Sequence, residues 1–140
     1  MRLKKLHPAL IMPTKSTAGA GAFDIYMPEA GNVHGITPTK VGLGFATEIP
    51  PGFLALIFPR SGVGSKFGLE LNNTCGVIDA DYRGEWFVSL RTKDECFYSW
   101  NAGDRMLQFF LVPVPDVQLE LVDELSDTAR GTGGFGSTGK

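Results

Sequence analysis

Apolar and polar positions alternate along this chain in short bursts, and turn residues cut each burst before it grows long. The runs Val41–Thr47, Phe53–Phe58, Glu85–Thr92 and Met106–Val114 have strand-like length and are rich in β-branched and aromatic side chains. Pro28, Gly31, Pro38, Pro50-Pro51-Gly52, Gly103 and Pro113/Pro115 punctuate them. No segment keeps a 3.6-residue apolar period through three turns. The best helical stretch is Ser61–Phe67, which two glycines weaken. The pattern predicts an all-β protein, a distorted jelly-roll-like double sheet. From Thr128 the character changes, with five glycines and one large apolar residue up to Lys140. Such a segment cannot offset its ordering entropy alone. The expected organisation is a β domain over residues 1–125 and a flexible, Gly-rich C-terminal arm over 126–140.

Composition narrows the functional classes. A chain of 140 residues suits one domain, and 18 Gly with 9 Pro fit a turn-rich β fold. A net charge of −2 argues against a protein that coats nucleic acid. A polyanionic ligand would need cationic partners gathered locally or supplied by a metal. Cys75 and Cys96 are too few for a disulfide framework and lack zinc-ligand spacing; two reduced, buried thiols are expected, with a single bridge left open. The basic N-terminus, Met1 to Pro8, lacks the apolar core of a signal peptide, and the apolar stretches are too short to span a bilayer. The expectation is a soluble, cytoplasmic protein with neither nucleic-acid nor membrane partners.

Several blocks carry candidate chemistry. Gly134 to Lys140 fits the first part of a phosphate loop, G-x-x-x-x-G-K, but no Ser or Thr for magnesium and no helix N-terminus follow. A P-loop NTPase is excluded. Pro59-Arg60-Ser61-Gly62-Val63-Gly64-Ser65-Lys66 sets charged donors and open backbone N–H groups after a strand, as a phosphate would require or as a solvated basic turn would show. In Cys75 to Glu85, Asp79 and Asp81 at i and i+2 would point to one side of an extended segment between Gly76 and Gly84. That is a ligand-binding hairpin or an ordinary one with solvated acids. Asp104 and Arg105 read as a structural ion pair. Gln108 is the better ligand candidate, since a buried amide needs partners. His7 and His34 belong to no metal or acid–base constellation, and Trp86, Trp100 and most phenylalanines read as core.

Taken in order, these blocks resemble the five motifs of the homotrimeric deoxyuridine triphosphatase (dUTPase) family. Gly21-Ala22-Phe23-Asp24-Ile25 is similar to the first motif, Pro59–Gly68 to the second, Gly76–Glu85 to the third, Gly103–Gln108 to the fourth and Arg130–Gly139 to the fifth. The small pair of the first motif is shifted, so Asp24 alone carries over, and Gly64 stands where alanine is common. The resemblance implies hydrolysis of dUTP to dUMP and pyrophosphate with Mg2+, in a homotrimer whose sites are shared between subunits. Asp79 would be the catalytic base for the attacking water. Asn73, Gly76, Val77 and Ile78 would read the uracil edge, and Tyr82 would pack under the deoxyribose. Arg60, Ser61, Gly62 and Gln108 would hold phosphates. Arg130, Gly136, Ser137 and Thr138 would close over the β- and γ-phosphates while Phe135 stacks on the base. Asp24 would act on the metal indirectly, through water. Two other readings stay open: a dCTP deaminase-related enzyme on a related trimeric fold, and a nucleotide-gated regulatory interaction module.

Overall fold

The computed structural model describes residues 1–134. Among them the chain forms eleven strands and one short helix in the order β1 (Arg2–Lys5), β2 (Phe23–Tyr26), β3 (Gly31–His34), β4 (Thr39–Gly42), β5 (Phe45–Glu48), β6 (Phe53–Pro59), α1 (Ser61–Phe67), β7 (Leu69–Leu71), β8 (Gly76–Ile78), β9 (Phe87–Thr92), β10 (Phe97–Trp100) and β11 (Arg105–Pro113). A four-stranded sheet runs β2-β11-β6-β8 and a three-stranded sheet β4-β9-β7, with β1-β5 and β3-β10 as separate pairs. Every pairing is antiparallel. The jelly-roll-like double sheet expected from the sequence is the architecture found.

The two larger sheets share one core. Ile25, Ile57 and Phe109 come from the first, and Leu69, Val88 and Leu90 from the second. Trp86 sits fully buried at their junction, its ring 5.0 Å from Phe45 and 5.1 Å edge-on from Phe109. Its indole N–H donates to Thr47 Oγ1 at 3.1 Å, which satisfies the one polar atom a buried tryptophan carries.

The run Val41–Thr47 is not one strand. It splits into β4 and β5 at Leu43–Gly44, where Gly44 takes φ +77° and hands the chain from β9 to β1 as pairing partner. Glu85 fixes the crossover by accepting the Gly44 N–H at 3.0 Å. The helix matches the expected Ser61–Phe67 and ends on Gly68 in the left-handed conformation, whose N–H donates to the Gly64 carbonyl. β11 carries a bulge between Arg105 and Leu107, which turns Arg105 toward β2 while Met106 stays buried. No strand or helix follows Pro113 up to residue 134, and nearly all of that segment is exposed. Among the described residues no helix is long and apolar enough to cross a membrane.

Candidate functional site

Two clusters gather most of the residues that the sequence singles out. The first lies where β2, β11 and the β6–α1 corner meet. Asp24, on β2, is 6% exposed, and each of its oxygens faces a guanidinium: Arg60 Nε at 3.1 Å from Oδ1 and Arg105 Nη1 at 3.2 Å from Oδ2. Arg60 also donates through Nη1 to the Arg105 carbonyl at 3.0 Å, and its backbone N–H donates to the Met106 carbonyl. The cluster therefore holds two cations against one anion, with both guanidiniums partly open to solvent. Gln108 stands opposite Asp24 in the β2–β11 register and directs Nε2 to the Pro59 carbonyl at 3.4 Å. Ser61 and Gly62 open α1 and are exposed. Their N–H groups belong to the first turn, which has no intrahelical acceptor.

Asp104 and Arg105 do not form the ion pair expected from their adjacency in sequence. Asp104 Oδ2 accepts the Asn101 N–H at 2.8 Å across its own turn, and Arg105 reaches instead to Asp24. The bulge in β11 is the cause, because it separates the directions of the two neighbouring side chains.

The second cluster is built on β8. This strand closes the four-stranded sheet: it pairs with β6 on one side, and its other edge has no strand partner among the described residues. Across a gap stands the start of β9. β4 pairs Phe87–Leu90 there, whereas β7 pairs only Leu90–Thr92, so the β7 side of Phe87 and Val88 is likewise without a strand. Val77, Ile78, Asp79, Tyr82 and Phe87 line a cavity of about 180 Å³ in this gap. Two incomplete strand edges present backbone N–H and C=O groups, which suit the flat polar edge of a heteroaromatic ring. A neighbouring cavity of about 290 Å³ is lined by Lys40, Asn73, Gly76, Phe87 and Ser89, with Leu71 and Val88 behind them. Asn73 Nδ2 donates to the Cys75 carbonyl at 2.9 Å, so the amide fixes its own loop.

Asp79 and Asp81 do not share an extended segment. Tyr82 N–H donates to the Asp79 carbonyl at 3.2 Å, closing a tight turn over Asp79–Tyr82. The turn sends Asp79 into the cavity with Tyr82, while Asp81 lines a separate hollow with Arg2, Glu48 and Arg83. Arg83 Nη1 braces the turn by donating to the carbonyls of Ala80 (2.6 Å) and Tyr82 (3.3 Å).

Cys75 and Cys96 are both free thiols, Cys75 half-buried and Cys96 exposed; the expectation of two buried thiols holds for neither in full. Burial pushes the Cys75 thiol up, opposed by a hydrogen bond from the Ile57 backbone. Arg130 lies in the exposed C-terminal segment, where Nε donates to the Gly133 carbonyl at 2.9 Å. Phe135, Gly136, Ser137 and Thr138 lie outside the described residues. Sequence reasoning missed Phe87 and gave Arg105 only a structural role. Strand alternation pointed Phe87 outward from a core-facing Trp86 and Val88, and that was the available signal.

A jelly-roll-like β domain with a paired-arginine cluster and an open strand-edge cleft has the donors that a phosphorylated nucleoside needs. The chain belongs to the dUTPase family, whose model matches residues 9–139. A deoxyuridine 5'-triphosphate nucleotidohydrolase of Picosynechococcus is 42% identical, covering 99% of this chain and 98% of its own. Among solved structures, the dUTPase of Staphylococcus bacteriophage 80alpha in complex with dUPNHPP superposes with TM-score 0.90 at 26% identity, over 99% of this chain and 98% of its own. The dUTPase of phage phi11 of S. aureus, described as coordinating a structural Mg(II) ion, gives TM-score 0.80 at 23% identity, over 88% and 96%.

Proposed function

We propose that this chain hydrolyses dUTP to dUMP and pyrophosphate, with Asp79 as the base and the β8–β9 cleft as the nucleoside site. The observation that carries the reading is the 180 Å³ cavity in which Asp79 and Tyr82 stand beside two unpaired strand edges. The backbone of Gly76, Val77 and Ile78, with Asn73, would read the uracil edge. Cytosine presents the opposite donor–acceptor pattern at position 4, and a mismatched buried polar edge is costly. Tyr82 would pack under the deoxyribose, leaving no room for a 2′-hydroxyl. The carboxylate of Asp79 would take a proton from water as the water oxygen bonds to the α-phosphorus and the bond to the bridging oxygen breaks. Pyrophosphate leaves.

Arg60, Ser61, Gly62 and Gln108 would hold the phosphates, and Arg105 joins them because it shares the Asp24 anchor with Arg60. Among the described residues no group of three or more His, Cys, Asp or Glu converges as a metal cage. Asp24 would hold those two guanidiniums in place, and the remaining lone pairs of its carboxylate would reach the metal only indirectly, through water. The donor set fits Mg2+ brought in on the triphosphate, where the ion would offset phosphate charge.

The cavity lined by Asp79 and Tyr82 includes neither Arg60 nor Gln108. A homotrimer with shared sites accounts for this separation: the arginine cluster of one subunit, the cleft of a second and the 126–140 arm of a third would surround one substrate. Two surfaces of the isolated domain support such an assembly. Leu54, Leu56, Phe58, Phe110 and Val112 form a half-buried apolar outer face on β6 and β11, where an antiparallel sheet facing water would be polar. Beyond β11, Leu119 (99% exposed), Leu121 (101%) and Leu125 (87%) stand in the open, apolar side chains that a neighbouring subunit would bury. Arg130, Phe135, Gly136, Ser137 and Thr138 would close the arm over the phosphates and base.

The test is pyrophosphate release from dUTP, dTTP, dCTP and UTP. Release from dUTP alone supports the reading. Ammonia release from dCTP without pyrophosphate release from dUTP would replace it with a deaminase.

A further inference from the structure

Tyr82 is exposed, yet its ring is held in one place. Its Oη donates to the Glu85 carbonyl at 2.9 Å, and Arg83 clamps the turn beneath it. Between them in sequence stands Gly84, whose backbone is not in the left-handed region, so its conformation does not require glycine. Space does. A Cβ at this position would lie 2.5 Å from Tyr82 Oη, 2.7 Å from Cζ and 3.0 Å from Cε2. Contacts that short do not persist, and the ring would have to shift.

We infer that Gly84 is a positioning residue for sugar selection: its missing side chain is the recess into which the Tyr82 ring folds, and that posture decides whether a 2′-hydroxyl fits. The inference rests on the nucleoside site proposed above and deepens it. The turn places Asp79 and Tyr82 at its two ends, so one short loop sets the base at one end and the sugar floor at the other. Filling the recess presses on the Tyr82 end. The ring is solvent-accessible, so its displacement opens the cleft without unpacking the core. Gly84 therefore acts on ribose exclusion while leaving the Asp79 chemistry in place.

The experiment compares kcat/KM for dUTP and UTP in the full-length protein, the Gly84→Ala and Tyr82→Ala variants, and the double variant. Gly84→Ala is expected to lower the dUTP-to-UTP ratio on the order of tenfold or more, with KM for dUTP changing more than kcat. In the Tyr82→Ala background the same substitution is expected to change the ratio no further, since there is no ring to displace. An unchanged ratio in Gly84→Ala, or additive effects in the double variant, overturns the inference. Should Gly84→Ala not fold, the tyrosine variants decide: Tyr82→Phe, which keeps both ring and recess, is expected to hold most of the ratio while Tyr82→Ala lowers it, and a Tyr82→Ala protein with the wild-type ratio overturns the inference. A wild-type protein that does not turn over dUTP sinks the underlying reading instead.

Discussion

Arg60 Nε lies 3.1 Å from Asp24 Oδ1, and this contact ties the corner after β6 to a strand at the far edge of the same sheet. Asp24 spends its other oxygen on Arg105, so one nearly buried carboxylate orients two guanidiniums. Asp24→Asn keeps the shape but removes the charge that both arginines answer. Charge-assisted hydrogen bonds of this kind contribute about 1.5–3 kcal/mol. The variant is expected to fold with a lowered melting temperature and to lose substrate affinity, read as a raised KM for dUTP. An unchanged KM would remove Asp24 from the phosphate site.

The core makes a separate demand. Trp86 is fully buried between Phe45 and Phe109, and its indole N–H is satisfied by Thr47. Trp86→Ala leaves a large void and is expected to cost about 3–5 kcal/mol of stability. Urea unfolding checks this through a shifted midpoint at constant m-value.

The two thiols are expected to label in order. The thiolate is the reactive form, and burial raises the Cys75 pKa while Cys96 is exposed. Cys75 therefore holds less thiolate near neutral pH, and its alkylation rises only as pH climbs toward the raised value. Iodoacetamide at neutral pH, followed by peptide mass mapping, should find Cys96 modified first. Equal rates would contradict the half-buried placement of Cys75.

Periodicity and turn residues made much of the fold legible. Ser61–Phe67 is helical over the expected residues despite Gly62 and Gly64, because Gly68 supplies a left-handed stop. Val41–Thr47 read as one strand because its apolar run continues through Leu43, and the φ of Gly44 that breaks it is invisible in composition. Asp79 and Asp81 read as partners for the same reason: spacing of two implies one face only where the chain is extended, and here it turns. Phe87 could not be assigned a role from sequence, since the cleft it lines exists only where β7 stops short of it. Arg105 was mispaired because the bulge that redirects it depends on β2 and β6 lying on either side of β11. The motif residues were legible individually; which strand edges stay open depends on the whole topology.

Sharing of the site between subunits has its own expected outcome. Asp79→Asn chains keep an intact arm, and chains ending at Arg130 keep an intact cleft. Each alone should be nearly inactive. Unfolded and refolded together, they should form mixed trimers in which some sites draw the cleft and the arm from different chains, and dUTP hydrolysis should return. Confirmed mixed trimers without activity would refute sharing, as would a monomer at working concentration.

The proposed base, Asp79, stands at the mouth of the β8–β9 cleft, where it would take the proton from the attacking water. Asp79→Asn preserves the size of the side chain and its capacity to hold a water, but an amide does not accept that proton. Loss of general-base catalysis lowers turnover on the order of 10²–10⁴-fold. Single-turnover pyrophosphate release, set beside the dissociation constant of a non-hydrolysable dUTP analogue, separates chemistry from binding. Asp79→Asn is expected to keep a near-wild-type dissociation constant with turnover reduced by that factor. Hydrolysis of dUTP by Asp79→Asn at close to the wild-type rate would contradict it.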